Sequence, residues 1–377
     1  MDMDNIESID FRALGGADNI VVGDLSGTDV TQVSIDLRGP NGGTDGAADT
    51  VTVNATQSAD AFGVTGDAGG VQVFGLQATA TIFFNDATQD RLTLNGQGGD
   101  DVINASSLEA DALELLTMNG GLGNDILIGS EGKDLINGGD GNDTALMGAG
   151  GDTFVWNPGD DNDTVEGQDG FDTLDFNGAN INETINIFAN GGRTLLTRDV
   201  ANVVMDLNDV ESINFDALGG ADTIVVNDLT GTDVTEININ LALANGAGDG
   251  AADIIIINAT QGDDVALVVG DNGGVSILGL ATQVNITGLD EHDRIVINTL
   301  GGDDVVEASG LNAIIALTAN GGDDDDILVG SVRADILKGG GGDDVLVGNG
   351  GLDILDGGPG DNVVIPSLIA PFDTLLM

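Results

Sequence analysis

Aspartate follows glycine-rich turns at a fixed interval of nine residues in two parts of this sequence. From Gly120 the chain reads GGLGNDILI, GSEGKDLIN, GGDGNDTAL and MGAGGDTFV, and from Gly321 it reads GGDDDDILV, GSVRADILK, GGGGDDVLV, GNGGLDILD and GGPGDNVVI. Position six of each unit is Asp, except for Asn362 in the last one, and position eight is apolar. Glycine permits positive φ and exposes backbone carbonyls, so each turn offers both carboxylate and carbonyl oxygens. Such oxygens are the ligands of a hard cation.

The short strand after each turn determines how these oxygens are arranged. Side chains alternate along a strand, so position eight faces an interior while positions seven and nine face outward. Two units then form one coil of eighteen residues with two corners, and corners eighteen residues apart stack. The stacking predicts five close pairs, which are Asp125 with Asp143, Asp134 with Asp152, Asp326 with Asp344, Asp335 with Asp353, and Asp344 with Asn362.

Calcium is the ion that this oxygen set favours. Ca²⁺ takes six to eight oxygen ligands at about 2.3–2.6 Å, whereas Mg²⁺ requires tighter octahedral geometry and keeps its waters. Zn²⁺ prefers His or Cys, and the chain has one His and no Cys. The spacing therefore predicts several bound calcium ions. Isolated GGAD, GGDD and GAAD pieces elsewhere are interpreted first as structural turns, and calcium binding there is left open.

The nine-residue unit resembles the GGxGxDxUx repeat of the RTX (repeats-in-toxin), or hemolysin-type calcium-binding, proteins. This resemblance implies a parallel β-roll in which calcium lies between successive corners, held by position-six carboxylates and corner carbonyls. The carboxylate ligands that it implies are Asp125, Asp134, Asp143, Asp152, Asp172, Asp326, Asp335, Asp344 and Asp353. The carbonyl ligands that it implies are those of Gly121, Gly123, Gly139, Gly141, Gly322, Gly340 and Gly342. The chain departs from the pattern at Lys133, Met147, Asp324, Ser130, Ser331, Arg333 and Asn362, and the last two weaken the inference most at their own corners.

A longer repeat of about 200 residues organises the chain. IESIDFRALGGADNIVV (6–22) recurs as VESINFDALGGADTIVV (210–226), and DILIGS (125–130) recurs as DILVGS (326–331). Met1 aligns with Met205, so we expect the chain to begin inside a repeat unit. The predicted segments are a β-solenoid lobe at 1–118, a nonapeptide block at 119–156, a bridging β segment with one further nonapeptide at 157–209, a second lobe at 210–319, a second block at 320–365, and a tail at 366–377.

Short β-branched runs at about ten-residue spacing, with Gly, Asp, Asn and Thr between them, predict an all-β, right-handed parallel β-solenoid in two tandem copies. The best candidate helix is Ser106–Leu116, and a hairpin is predicted at Asn190, Gly191 and Gly192. The 41% hydrophobic content, placed in short strands, argues against disorder.

Charge and missing motifs exclude several classes of function. A net charge of −55 opposes binding to nucleic acid or to an anionic membrane. No apolar run approaches the roughly 18 residues of a membrane-inserted helix. A single His excludes HExxH, and no GxSxG nucleophile motif is present. We therefore expect no catalytic site.

These expectations give one function hypothesis and one alternative. The hypothesis is a secreted, extracellular or cell-surface bacterial protein without catalytic activity, whose folding is driven by extracellular Ca²⁺ and which acts as a structural, matrix or adhesive module. A cell-surface or matrix partner and self-association are left open. The alternative is the C-terminal RTX portion of a larger secreted enzyme (epimerase, lipase or protease) or toxin. The tail VVIPSLIAPFDTLLM (363–377) resembles an uncleaved type I secretion signal, or else caps the last coil.

Overall fold

The computed structural model describes residues 4–366, which form β-strands and connecting turns. These residues make two compact units: unit 1 contains 4–176 and 204–211, and unit 2 contains 177–203 and 212–366. Within the described part of the chain, one 3₁₀ turn (Val200–Asn202) is the single helical element. No helix among these residues is long and apolar enough to cross a membrane.

Unit 1 contains two large sheets whose strands come from successive coils. The strands of the first sheet, in spatial order, are β1 (Ser8–Arg12), β3 (Gln32–Asp36), β7 (Thr79–Phe83), β6 (Gly70–Phe74), β5 (Ala61–Asp67), β9 (Val102–Leu108), β11 (Ile126–Ile128), β13 (Thr144–Leu146), β16 (Thr164–Glu166) and β21 (Val203–Asn208). Those of the second are β2 (Asn19–Val22), β4 (Thr50–Asn54), β8 (Arg91–Gly98), β10 (Leu115–Leu122), β12 (Asp134–Asp140), β15 (Thr153–Trp156) and β18 (Thr173–Asn177). Two short strands, β14 (Ala149–Gly150) and β17 (Asp169–Gly170), pair separately.

Unit 2 repeats this order of pairing from its β22 onward. Its first sheet contains β22 (Ser212–Asp216), β24 (Glu236–Asn240), β28 (Gln283–Thr287), β27 (Gly274–Leu278), β26 (Val265–Asp271), β30 (Val305–Glu307), β32 (Ile327–Val329), β34 (Val345–Val347) and β36 (Val363–Ile365). Its second contains β20 (Arg193–Arg198), β19 (Thr184–Asn190), β23 (Thr223–Val226), β25 (Ile254–Asn258), β29 (Arg294–Gly301), β31 (Ala316–Asp323), β33 (Ile336–Gly341) and β35 (Ile354–Asp356).

The strands of the nonapeptide regions stack in parallel at the predicted interval. Leu116 pairs with Asp134, eighteen residues on, and Ile126 pairs with Thr144. Position eight faces the interior, since Leu127 is 0% exposed while its neighbour Ile126 is 42% exposed. The prediction of a parallel β-solenoid is therefore confirmed.

A three-stranded antiparallel excursion that was not predicted from the sequence interrupts the parallel order in each unit. β5, β6 and β7 form an antiparallel meander, and β26, β27 and β28 form its counterpart. The first turn is closed by Asp67 Oδ1, which accepts the Gly69 N–H at 2.7 Å. Asp271 Oδ1 accepts the Gly273 N–H in the same way at 2.8 Å. The Asp-x-Gly-Gly pattern at both places is the turn signal that the interpretation overlooked.

The helix expected at Ser106–Leu116 is wrong. β9 continues to Leu108, a turn follows in which the Ala112 N–H donates to the Glu109 carbonyl, and β10 begins at Leu115. Strand pairing on both sides and burial of the apolar residues override the local helix propensity. The predicted hairpin is present, with Asn190 opposite Arg193 across Gly191 and Gly192.

The six predicted segments stay predictions. The two compact units do not separate lobes from blocks, and the bridging segment 157–209 is divided between them. The proposed secretion signal at 366–377 lies outside the described residues, apart from Pro366.

Stacked asparagines fix the register of the lobes by neutral hydrogen bonds. In unit 2 each Asn amide donates to the side-chain oxygen of the preceding one at 2.7–2.9 Å, through Asn186, Asn227, Asn258, Asn298 and Asn320. In unit 1, Asn119 donates to Asn95 and Asn95 to Asn54. The lobes combine these neutral bonds with aspartate rungs, such as the one from the Asp222 N–H to Asp253 Oδ1 at 2.8 Å.

Candidate metal centre

The position-six aspartates form a ladder along each corner of the solenoid. The backbone N–H of Asp125 donates to Asp143 Oδ1 at 2.7 Å, one coil further on. The same bond joins every one of the five pairs predicted from the eighteen-residue spacing. The other four are Asp134 to Asp152 Oδ1 (2.8 Å), Asp326 to Asp344 Oδ1 (3.0 Å), Asp335 to Asp353 Oδ1 (3.1 Å) and Asp344 to Asn362 Oδ1 (2.7 Å).

The ladders extend beyond the nonapeptide blocks, which the sequence analysis missed. In unit 1 the Asp101 N–H donates to Asp125 Oδ1 at 2.7 Å, and the Asp143 N–H donates to Asp163 Oδ1 at 2.9 Å. In unit 2 the Asp304 N–H donates to Asp326 Oδ1 at 3.0 Å. These rungs join residues 24, 20 and 22 positions apart, so a search at intervals of eighteen could not find them. The glycine-rich turn before each Asp was the remaining signal.

The second oxygen of most ladder carboxylates is buried without a hydrogen-bond partner. These Oδ2 atoms belong to Asp18, Asp101, Asp125, Asp143, Asp152, Asp163 and Asp172 in unit 1, and to Asp222, Asp304, Asp326, Asp344 and Asp353 in unit 2. A buried acceptor left without a donor costs about 1–3 kcal/mol, and more when it is charged. Each such oxygen therefore calls for a cation or a proton.

A carbonyl oxygen faces the same space as these orphaned oxygens. A Cβ built on Gly120, at position one, would lie 2.1 Å from Asp125 Oδ2 and 2.5 Å from Gly138 O. At Gly321 the corresponding distances are 2.0 Å to Asp326 Oδ2 and 2.6 Å to Gly339 O. We call the space beside each position-one Cα the position-one slot. At Gly120 and Gly321 it is lined by one carboxylate and one carbonyl oxygen, and any side chain at these positions would collide with both.

The slots fit calcium better than a metal held by side chains alone. Among residues 4–366, no group of three or more His, Cys, Asp or Glu side chains is gathered to hold a metal. A bound ion would therefore need backbone carbonyls to complete its coordination, which suits Ca²⁺ and its flexible oxygen shell.

The corner glycines predicted to supply carbonyls lie in this stack. Gly121, Gly123, Gly139 and Gly141 have φ between 97° and 147°, a region that favours glycine. A Cβ on Gly139 would lie 2.1 Å from Gly121 O, and one on Gly141 would lie 1.8 Å from Gly123 O. The φ values in unit 2 are 132°, 120° and 155° at Gly322, Gly340 and Gly342. Successive coils thus bring these carbonyls together at the corner, and their bonds to calcium stay a prediction.

Two of the predicted carboxylates are engaged differently from the rest. Asp134 Oδ2 accepts the Ser130 N–H at 2.6 Å, and its Oδ1 accepts the Ser130 hydroxyl at 2.8 Å. Asp335 is held by Ser331 in the same way. Serine at position two therefore supplies donors to both oxygens, and these corners depend least on a cation.

At the corner of unit 2 formed by residues 178–183, the protein supplies its own positive charge. The Glu183 N–H donates to Asp222 Oδ1 at 2.7 Å, as in the aspartate ladders. The Glu183 carboxylate forms an ion pair with Arg198, and both side chains are at most 4% exposed. A guanidinium thus neutralises a buried corner carboxylate.

Burial, followed by the charge of neighbouring aspartates, raises the pKa of several ladder carboxyls. The pKa of Asp143 rises to about 7 and that of Asp163 to about 8. The pKa of Asp152 rises to about 8 because of burial and of the nearby Asp134. The metal-free fold therefore favours protonated corners.

Filling one slot should remove one ion. We expect Gly120→Ala to lower the calcium stoichiometry by one per chain, because its methyl would collide with Asp125 Oδ2. Gly151→Ala is the control, since its Cβ would meet only Phe171 O at 3.5 Å. Isothermal titration with calcium measures both; unchanged stoichiometry and affinity in Gly120→Ala would contradict the assignment.

Acidification should partly replace calcium. The unfolded aspartates have a pKa of about 3.9, so the folded, metal-free state binds more protons wherever its pKa is raised. The stability that these protonated carboxyls contribute is fully present below about pH 4 and is lost as the pH rises through the folded-state pKa values of about 7 to 8. Thermal unfolding in calcium-free buffer should give a higher Tm at pH 5.5 than at pH 8.5, and saturating calcium should abolish or reverse this trend. A calcium-free Tm that increases with pH would oppose this account.

Four segments of the chain match the RTX calcium-binding nonapeptide repeat: residues 93–107, 117–154, 158–175 and 329–364. They include the corners of Asp101 and Asp163, which the nine-residue count missed, as well as most of both blocks. No curated protein has a sequence that matches this chain. The matched segments coincide with corners where a buried carboxylate and a carbonyl share a slot. These four segments of the chain are therefore RTX calcium-binding nonapeptide repeats.

Proposed function

We propose that this chain is a secreted, non-catalytic protein whose coils fold when extracellular calcium binds at the corner ladders. In this proposal the folded solenoid acts as a structural, matrix or adhesive module, and calcium is its essential partner. The observation that carries the proposal is the row of buried Oδ2 atoms without donors, of which those of Asp101, Asp125 and Asp326 each lie beside a glycine carbonyl.

In this proposal, electrostatic repulsion between carboxylates makes folding depend on calcium. With a net charge of −55, the calcium-free chain repels itself, and the repulsion is strongest where carboxylates stack one coil apart. Calcium binds the folded state and not the unfolded one, so it stabilises the fold by linkage. Extracellular calcium modules have dissociation constants of about 10⁻⁴–10⁻³ M. The ladders would then be unfolded in a calcium-poor cytoplasm and folded outside the cell.

The engagement of the acidic residues supports a role without catalysis. Most of the buried corner carboxylates accept a backbone N–H of the neighbouring coil, as Asp143 does from Asp125, and Asp134 and Asp335 accept donors from Ser130 and Ser331. His292 is exposed, and its backbone N–H donates to Asp290 within a turn. These groups are fully explained by turns and ladders. Export by the type I route accords with RTX repeats, which are typical of secreted proteins.

Calcium-dependent folding can be followed through Trp156. Its ring stacks on Phe176 at a centroid distance of 4.2 Å in the interior of unit 1. We expect a red-shifted emission and a weak β signal in circular dichroism when calcium is chelated at pH 8. Millimolar calcium should restore both signals, and the same concentration of magnesium should not. A native spectrum in excess chelator would refute the proposal.

A matched pair of variants distinguishes calcium binding by a ladder carboxylate from a general effect of the negative charge. Asp143→Asn removes a buried ladder charge but keeps an oxygen for the Asp125 N–H, so the calcium midpoint should rise several-fold. Asp140→Asn removes the same charge from an exposed position in the same turn and should leave the midpoint nearly unchanged. Equal shifts in both variants would indicate nonspecific screening.

A further inference from the structure

Two equivalent corners differ at a single slot. Residues 96–101 of unit 1 and 299–304 of unit 2 occupy the same place in the repeated order of strands, at the ends of β8 and β29. Gln97 and Leu300 both have φ of 76°, and Gly99 and Gly302 have φ of 103° and 111°. The backbone of the two corners is therefore the same.

The carboxylates of these corners are also held alike. Asp101 Oδ1 accepts the Asp60 N–H at 2.7 Å, and Asp304 Oδ1 accepts the Asp264 N–H at 2.7 Å. Asp101 and Asp304 are each 1% exposed, and the Oδ2 of each lacks a hydrogen-bond partner.

Position one distinguishes the corners. In unit 1 it is Gly96, where a Cβ would lie 2.3 Å from Asp101 Oδ2 and 2.4 Å from Gly120 O. In unit 2 it is Thr299, which is 0% exposed and fills the same slot. Its hydroxyl donates to Gly321 O at 2.8 Å, the carbonyl that corresponds to Gly120 O. Thr299 therefore takes both the space and the carbonyl that an ion would use.

We propose that at this pair of corners the residue at position one decides whether a cation binds, so that Gly96 leaves a calcium site open in unit 1 and Thr299 closes its counterpart in unit 2. This inference rests on the calcium binding proposed above. It adds a site at Asp101, outside the residues expected to bind metal, and it predicts that no calcium ion binds in the slot beside Asp304.

The asymmetry gives the two units different calcium requirements. In unit 2 the coil that contains β29 and β30 would hold its corner closed by a hydroxyl, and its Asn298 side chain also continues the asparagine ladder. That coil would present a folded surface on which β31 and β32 assemble as calcium binds. In unit 1 the equivalent coil would need a calcium ion at its corner before it could fold stably.

Exchange of the two residues in the full-length chain tests the proposal. The probe is calcium alone, counted per chain by equilibrium dialysis at saturation, with circular dichroism to verify folding. Thr299→Gly should bind one ion more than the wild type, and Gly96→Thr should bind one fewer. Thr299→Val fills the slot without a hydroxyl and should leave the count unchanged.

Each outcome decides the proposal. A gain in Thr299→Gly that is absent in Thr299→Val supports it. If Thr299→Gly binds no additional ion, the proposal is overturned. If it binds fewer ions than the wild type, the Thr299 hydroxyl is itself a ligand and the proposal is also overturned. In both cases calcium binding by the wild type still supports the proposed function. If Thr299→Gly does not fold, Gly96→Thr decides: one ion fewer supports the proposal and an unchanged count refutes it. A wild-type chain that binds no calcium refutes the proposed function as well.

Discussion

The bond from the backbone N–H of one corner Asp to the Oδ1 of the Asp in the next coil imposes the main constraint on this structure. It fixes the register of adjacent coils and places a carboxylate inside every corner, as between Asp125 and Asp143. It also satisfies only half of that carboxylate. The Oδ2 atom stays buried beside a carbonyl, and in a chain of net charge −55 this deficit recurs at corner after corner. The fold is therefore incomplete until something neutralises these oxygens.

The molecule meets this requirement in several ways. Serine donors satisfy Asp134 at the first of the stacked corners formed by Asp134, Asp152 and Asp172, and the Arg198 guanidinium satisfies Glu183. Protons can neutralise carboxyls whose pKa is raised, such as that of Asp143, and calcium is the proposed counter-ion at corners such as those of Asp125 and Asp326. The asparagine ladders, in contrast, hold neighbouring coils by neutral bonds. Dependence on calcium is thus a local property of individual corners, and it is concentrated where these substitutes are missing.

The repeating part of the structure was predicted well from the sequence because the same turn and the same buried position recur at a constant interval. A nine-residue interval with an apolar position eight determines the coil length, the buried face and the partner of Asp125. Periodicity could not reveal rungs separated by other intervals, so Asp101 and Asp163 were missed. Composition misled at Ser106–Leu116, where pairing with neighbouring coils makes strands of both ends and a turn joins them between Leu108 and Leu115. The donors at Asp134 depend on a side-chain rotamer of Ser130, which no pattern of residue types specifies.

Anomalous scattering from crystals of the full chain grown in calcium tests the central claim most directly, because it locates the ions independently of any fluorescence or stability signal. The account predicts peaks at the slots beside Gly120 and Gly321, each about 2.3–2.6 Å from the orphaned Oδ2 and from the facing carbonyl oxygen. Ordered corners without a peak, with Asp125 Oδ2 and Asp326 Oδ2 bonded instead to water, would contradict it.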